Sequence, residues 1–425
     1  MRVLLVQSYL GGREPPVFPL GISCLSSLLY EHEVKVFDAN ISEDPFKDFD
    51  NIIKEFSPDV IGISLRNIDS TNKRVVVFYY DYLKQKLDII DASSSIAKII
   101  IGGSGFSMFA KEIMEDEPRI DFGIFLEGEI TFPKLLQNLD RPENVKSIFY
   151  RKEGGLVFTG PGEQIDLNTV PFPDRKSIPL SDYESYRDAI GIETKRGCIL
   201  NCIYCIYGFL NGKELRLREP SKIVDEIEML VRDYGIARFT FVDSVFNIPK
   251  KHAEMICNEI IKRGIKVRWS AWFNEKELTR DFIELVRDAG CNNVILSPDG
   301  FSKRVLEKLG KNITKADIIK SYNVLKGLSG FEVSYNFFKN PPGQSLIAFL
   351  MLVFFCLKAR FQMGKRVHFE FNSMRIEPHT KLHKIAIEEG FAKRGENLLY
   401  PKYYTNPRTP YIEKLFNIML KLKRK

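Results

Sequence analysis

What the 425-residue chain lacks narrows the search first. No GxGxxG follows its first apolar run and no GxxxxGK[ST] occurs anywhere, which excludes the glycine loops of nicotinamide-dinucleotide and P-loop nucleotide sites. The opening MRVLLVQSYLGG has neither the apolar stretch nor the small-residue cleavage site of a signal peptide, so a cytosolic start is expected. A uniform charge excess is also missing. Net charge is +7, but the last fifteen residues, Tyr411 to Lys425, carry five bases against one acid and leave only +3 for the rest. A nucleic-acid partner is therefore not expected. The longest uninterrupted apolar run, Leu346 to Leu357, has twelve residues, against about 20 for a membrane span; it reads as a buried helix. No repeat of 20–50 residues occurs. A composition of 44% hydrophobic and 28% charged residues is ordinarily globular, enough for two or three domains at about 150 residues each.

What is present is a rhythm. Short apolar runs at 2–8, 34–39, 60–65, 98–103 and 121–128 alternate with amphipathic segments. Runs apolar throughout are covered on both faces, which implies a parallel sheet between helices, a flavodoxin-like α/β layer over residues 1–145. Its ligand should sit at the carboxyl ends of the strands. Unusual residues fall at those ends: Ser64-Leu65-Arg66-Asn67, Gly102-Gly103-Ser104-Gly105 and Glu127-Gly128-Glu129. A hairpin turning at Glu153-Gly154-Gly155 and a proline-rich stretch at 170–180 read as a linker, 146–185. From there β/α alternation restarts, with strands at 191–195, 238–244, 266–273, 293–298, 331–338 and 367–376. Six units fall short of the eight-stranded barrel, so 186–395 should form a partial, open (β/α)6 barrel. Residues 396–425 form a basic extension.

The most informative absence is local. Cys198, Cys202 and Cys205 stand in a CxxxCxxC loop after the first strand of the second domain, with no fourth Cys or His close by. Structural zinc wants four closed ligands. An iron–sulfur cubane normally takes four cysteines, so three leave one iron open to chemistry. The loop, with aromatic Tyr204 before the third cysteine and a partial barrel after it, resembles the radical S-adenosylmethionine (SAM) superfamily. The resemblance implies a 4Fe-4S cluster held by Cys198, Cys202 and Cys205, whose open iron chelates SAM. It implies Tyr204 beside the adenine, Asp243 and Ser244 against the SAM amino group, and Ser297 and Asp299 near the ribose, where the family's usual glycine and glutamate are replaced.

A flavodoxin-like domain ahead of such a barrel is similar to the cobalamin-binding radical SAM subfamily. That likeness implies cobalamin (B12) over the strand ends of the first domain, touching Ser64, Leu65, Arg66, Asn67, Gly102, Gly103, Ser104, Gly128 and Glu129. The Asp-x-His-x-x-Gly motif that ligates cobalt elsewhere is absent. The only histidine before residue 250 is His32, which reads as a surface residue. Arg66 is then expected near the lower face of cobalt. The subfamily's chemistry is a 5′-deoxyadenosyl radical taking hydrogen from an unactivated carbon, followed by methyl transfer from methylcobalamin. The expected protein is a cytoplasmic C-methyltransferase taking a small-molecule or lipid-like substrate and electrons from a flavodoxin or ferredoxin. An oxidative cyclase, a ring-rearranging enzyme and a non-catalytic iron–sulfur or corrinoid carrier are the alternatives. Arg216 and Arg218, in a loop expected to bridge the two domains, are candidate anion contacts. The tail places Ile412, Leu415, Phe416 and Met419 on one helical stripe, for packing or for a weak membrane-surface contact.

Overall fold

The computed structural model describes residues 1–422, with side chains through Ile418. Residues 423–425 of the basic extension, and the Met419 side chain of its expected stripe, lie outside the described residues. The chain divides into two compact units, Met1–Ile190 and Gly191–Lys425.

The first unit is built on β1 (Arg2–Gln7), β2 (Glu33–Asp38), β3 (Val60–Ser64), β4 (Lys98–Gly102), β5 (Phe122–Ile124), β6 (Ile148–Lys152) and β7 (Gly155–Phe158), in the spatial order β2-β1-β3-β4-β5-β6-β7. The five apolar runs become five parallel strands in register, though the fifth is only three residues long. Val3 to Val6 and Ile99 to Ile101 are buried, as strands covered on both faces require. The order reverses between β1 and β3, which opens a crevice at their carboxyl ends.

Two expectations are corrected here. The hairpin is no linker: β6 pairs antiparallel with β5 and carries β7 on the sheet edge. The proline-rich stretch folds back onto the same unit, with the Asp174 amide donating to Ser23 O at 3.0 Å and the Arg175 guanidinium 4.6 Å over the Phe18 ring. The chain therefore leaves the first unit at Ile190, beyond the linker read from the prolines.

The second unit carries β8 (Gly191–Ile192), β9 (Lys195–Arg196), β10 (Arg216–Leu217), β11 (Arg238–Phe241), β12 (Arg268–Phe273), β13 (Cys291–Asp299), β14 (Glu332–Phe338), β15 (Val367–Asn372), β16 (Met374–Arg375) and β17 (Tyr403–Tyr404). Six form one sheet in the order β15-β14-β13-β12-β11-β8, every pair parallel. Each strand pairs with its neighbour in chain order, and the sheet ends on open edges, as the partial barrel requires. The antiparallel β9–β10 pair flanks the cysteine loop.

The apolar run at 346–357 forms a helix, Leu346–Met363, but only one of its faces is buried. Phe349, Leu352, Phe355, Ala359 and Met363 face the core while Ile347, Phe354 and Phe361 are exposed. The expectation of a wholly buried helix fails for that outer face.

Candidate cofactor-binding sites

The cysteine loop is held at several points by backbone hydrogen bonds. Cys198 N donates to Gly212 O at 3.1 Å, Ile203 N to Leu309 O at 3.0 Å, and Leu382 N to Ile203 O at 2.8 Å. Gly197 enters the loop at φ +95°, where a Cβ would stand 1.8 Å from Glu214 O, so no other residue fits there. Gly310, at φ +66°, lets the chain after β13 pass close to Asn201 O, which would stand 2.6 Å from a Cβ there.

All three cysteines are half-buried and free. Burial pushes the Cys205 thiol up to about 12, and the nearby Cys202 and Cys198 add to the rise. Burial likewise raises Cys202, against the pull of Lys311. Crowded thiols that resist ionising together favour a cation that removes their protons. Among the described residues no three His, Cys, Asp or Glu side chains are drawn together tightly enough for a single metal ion. The donor set of the three thiols fits an iron–sulfur cluster with a free iron.

Beside the loop lies a buried knot. The Lys311 ammonium donates to Asp299 Oδ2 at 2.8 Å and to Ser297 O at 2.7 Å, and the Tyr204 hydroxyl donates to the same carboxylate. Burial opposes the charge on Lys311, yet the Asp299 carboxylate beside it holds its pKa above the usual lysine range. Burial, then Asp299, raises Tyr204 as well. Tyr204, expected at the adenine, and Ser297 and Asp299, expected at the ribose, thus meet each other around Lys311, and their ties lock the cysteine loop to the end of β13. Tyr204 also packs edge-on against Phe338, centroids 4.7 Å apart.

Asp243 is placed otherwise than expected. Its carboxylate accepts from Thr194 N at 2.8 Å, from the Thr194 hydroxyl and from Lys195 Nζ at 2.8 Å, with both charged side chains almost fully buried. With Lys195 N as a fourth donor at 3.3 Å, this carboxylate straps β11 to the start of the cysteine loop and spends its acceptor sites on protein partners. Ser244 does face outward, lining a narrow cleft with Lys195, Gly197, Cys198 and Leu200. Arg218 is no free anion contact either: it is 2.8 Å from buried Glu226.

The inner face of the barrel was missed as a site. Along β14, Ser334, Asn336 and Phe338 are half-exposed and alternate with buried Val333, Tyr335 and Phe337. Asn336 registers with Glu370 and donates to Ser297 Oγ at 3.2 Å. Trp272 stands partly exposed on β12. The period-two alternation in EVSYNFF was the available signal. Glu275, just past β12, was missed too. It is buried with Oε1 lacking a hydrogen-bond partner among the described residues, and burial lifts its pKa to about 7.

In the first unit, Ser64 to Asn67 and Gly102 to Gly105 are brought together at the carboxyl ends of β3 and β4. Leu65 N donates to Gly102 O, Gly105 N to Leu65 O, and Ser104 Oγ to Arg66 O, at 2.8–2.9 Å. A Cβ on Gly103 or Gly105 would come within 2.7 and 2.8 Å of Leu65 O, whereas Gly102 has room for one. The glycines let two crevice loops dock on each other, with Arg66 left exposed. Gly128 and Glu129 sit one strand further on, Gly128 facing Leu25. At the reversal point, Ser8 donates its amide to Ser64 O at 3.1 Å, and its buried hydroxyl has no partner among the described residues. An unsatisfied hydroxyl at this crevice fits a polar cofactor. His32 stands just before β2, at the amino end of that strand, whereas the crevice lies at the carboxyl ends.

Comparison with known proteins agrees with this division. Residues 9–136 match the B12 binding domain family and residues 192–355 the radical SAM superfamily. An uncharacterized methyltransferase of Pyrococcus horikoshii is 28% identical over 72% of this chain and 66% of its own length. A cytidylyl-2-hydroxyethylphosphonate methyltransferase of Streptomyces wedmorensis is 25% identical over 69% of this chain and 63% of its own. The chain thus spans just under two thirds of either relative. Among solved structures, the radical SAM methyltransferase TsrM from Kitasatospora setae superposes with a TM-score of 0.81 at 22% identity, covering 92% of this chain and 77% of that one.

Proposed function

We propose, taking as premise that this chain belongs to the cobalamin-binding radical SAM enzymes, that it transfers a methyl group to an unactivated carbon of a small molecule. The observation that carries the reading is the loop of three free thiols, fixed by backbone hydrogen bonds at the mouth of an open barrel whose inner face is polar. When bound, the 4Fe-4S cluster with SAM supplies one-electron chemistry at carbon, and cobalamin supplies the methyl group.

Cys198, Cys202 and Cys205 hold the cluster. The Lys195–Asp243 pair and the Lys311–Asp299–Tyr204 knot set the height and tilt of their loop without touching the reacting atoms. Ser244, in the cleft beside the loop, and Asn336 and Trp272, exposed on β14 and β12, would orient SAM and substrate. In the first unit Ser8, the Ser64–Asn67 segment and Gly102 to Ser104 hold cobalamin, with Gly128 and Glu129 on the same edge of the sheet. Arg66 is exposed beside this crevice, and its guanidinium, which has no acceptor lone pair, would not ligate the metal of a cobalamin held there. Seven cysteines, none of them in a disulfide, fit a reducing cytoplasm, where a flavodoxin or ferredoxin supplies the electron.

The test is anaerobic reconstitution with iron, sulfide, cobalamin, SAM and a low-potential reductant. Release of 5′-deoxyadenosine, with label from methyl-labelled SAM passing to a metabolite that accumulates in a deletion strain, supports the reading. Radical formation without label transfer assigns the chain to the oxidative cyclases. No 5′-deoxyadenosine at all makes it a carrier.

A further inference from the structure

The 346–363 helix has two apolar faces and one partner. At about 100° per residue, Leu346, Ile347, Leu350, Phe354, Leu357 and Phe361 fall on a single outer stripe. Ile347, Phe354, Leu357 and Phe361 on it are 73%, 69%, 65% and 91% exposed. The opposite face is committed to the barrel, with Phe355 4.6 Å from Phe301 and 5.5 Å from Tyr335. The helix meets the length and apolarity expected of a membrane span, yet only a third of it is buried. It cannot cross a membrane without pulling Phe355 out of that core.

An apolar stripe of this size on a water-facing helix calls for a cover. Its charges say which. From Leu346 to Arg366 there is no acid, and Lys358 and Arg360, four and six residues past Phe354, fall on either flank of the stripe. Lys365 follows at its end. The neighbouring helix, Pro410–Leu422, docks through Phe416, 4.9 Å from Phe349. That helix exposes Tyr411, Leu415 and Ile418 beside Lys414, within the stretch of the chain that carries five bases and one acid. Apolar side chains ringed by cations match an anionic lipid surface, in which a helix lies parallel to the plane with its bases at headgroup level. A protein partner covering the same stripe would have no use for an acid-free border unless it were itself strongly acidic.

We propose that the outer face of the 346–363 helix seats the protein on an anionic membrane surface, in the plane of the interface and without crossing it. The inference stands independently of the chemistry proposed above. It is tested by flotation of the reconstituted protein with vesicles of phosphatidylcholine alone and of phosphatidylcholine with phosphatidylglycerol. Expected is co-flotation with the anionic vesicles that weakens as salt rises. Phe354→Glu/Phe361→Glu should lower it by roughly tenfold or more. Phe361→Gln alone, at a side chain with almost no contacts to lose, should lower it measurably while iron content is unchanged. Ile96→Glu, at an exposed residue of the other unit, should leave it as it was. Failure to float, equal flotation on phosphatidylcholine alone, or stripe variants that float normally each overturn the proposal. So does a lipid-indifferent dimer that Phe354→Glu/Phe361→Glu dissociates.

Discussion

Lys195 and Asp243 form an ion pair at 2.8 Å with side chains only 3% and 1% exposed, one residue arising beside the cysteine loop and the other at the end of the next strand of the sheet. Removing one partner leaves the other charge buried and unanswered. Asp243→Asn is therefore expected to destabilise the chain by about 3–5 kcal/mol, read as a lower unfolding temperature and lower iron content. Lys195→Met/Asp243→Leu should recover much of the stability but not the iron content, because the loop loses its strap while the core stays filled.

Gly197→Ala should abolish cluster loading. Its left-handed backbone alone costs about 1–3 kcal/mol for a non-glycine residue, and the added Cβ would overlap Glu214 O. Iron and sulfide assays after reconstitution check this against Cys257→Ala, a buried thiol outside the loop, which should load normally.

In the first unit, Gly103→Ala should weaken cobalamin binding while Gly155→Ala, on the edge strand β7, should not. The first meets Leu65 O at 2.7 Å in a left-handed conformation, and the second meets nothing closer than 3.6 Å. Strain of about 1–3 kcal/mol corresponds to roughly fivefold to a hundredfold in Kd. Spectral titration with cobalamin measures both.

A pH dependence belongs to Lys86, which burial holds down to about 7 against the pull of Asp38. Its ammonium donates to Gln7 O at 3.1 Å near the end of β1. Unfolded, lysine keeps its proton to about 10.4, so between these values the unfolded chain binds more protons and stability rises with pH. Below about 7 that contribution is flat. Wild type should gain thermal stability relative to Lys86→Met as pH is raised from 7 to 9. A constant difference between the two would show that Lys86 stays charged in the fold.

Much of the architecture was legible because it rests on contiguous signals. Continuous apolar runs gave parallel strands, and three cysteines within eight residues gave the loop. What escaped depends on long-range partners. Asp243 was recognised as a polar strand end, but whether its carboxylate faces a ligand or Lys195 depends on a pairing 48 residues apart. Lys311 follows no motif, yet organises Tyr204 and Asp299 because the turn at Gly310 aims it inward. The hairpin read as linker because strand pairing at a sheet edge leaves no mark on composition. The outer face of the 346–363 helix escaped because apolarity on all sides looks the same whether one face or both are covered.

The hydrogen bonds of Cys198, Ile203 and Leu382 to their neighbours involve main chain alone. Substituting a cysteine side chain therefore leaves all three donors and acceptors in place, so that losing a thiol would change what the loop can hold without changing where the loop stands.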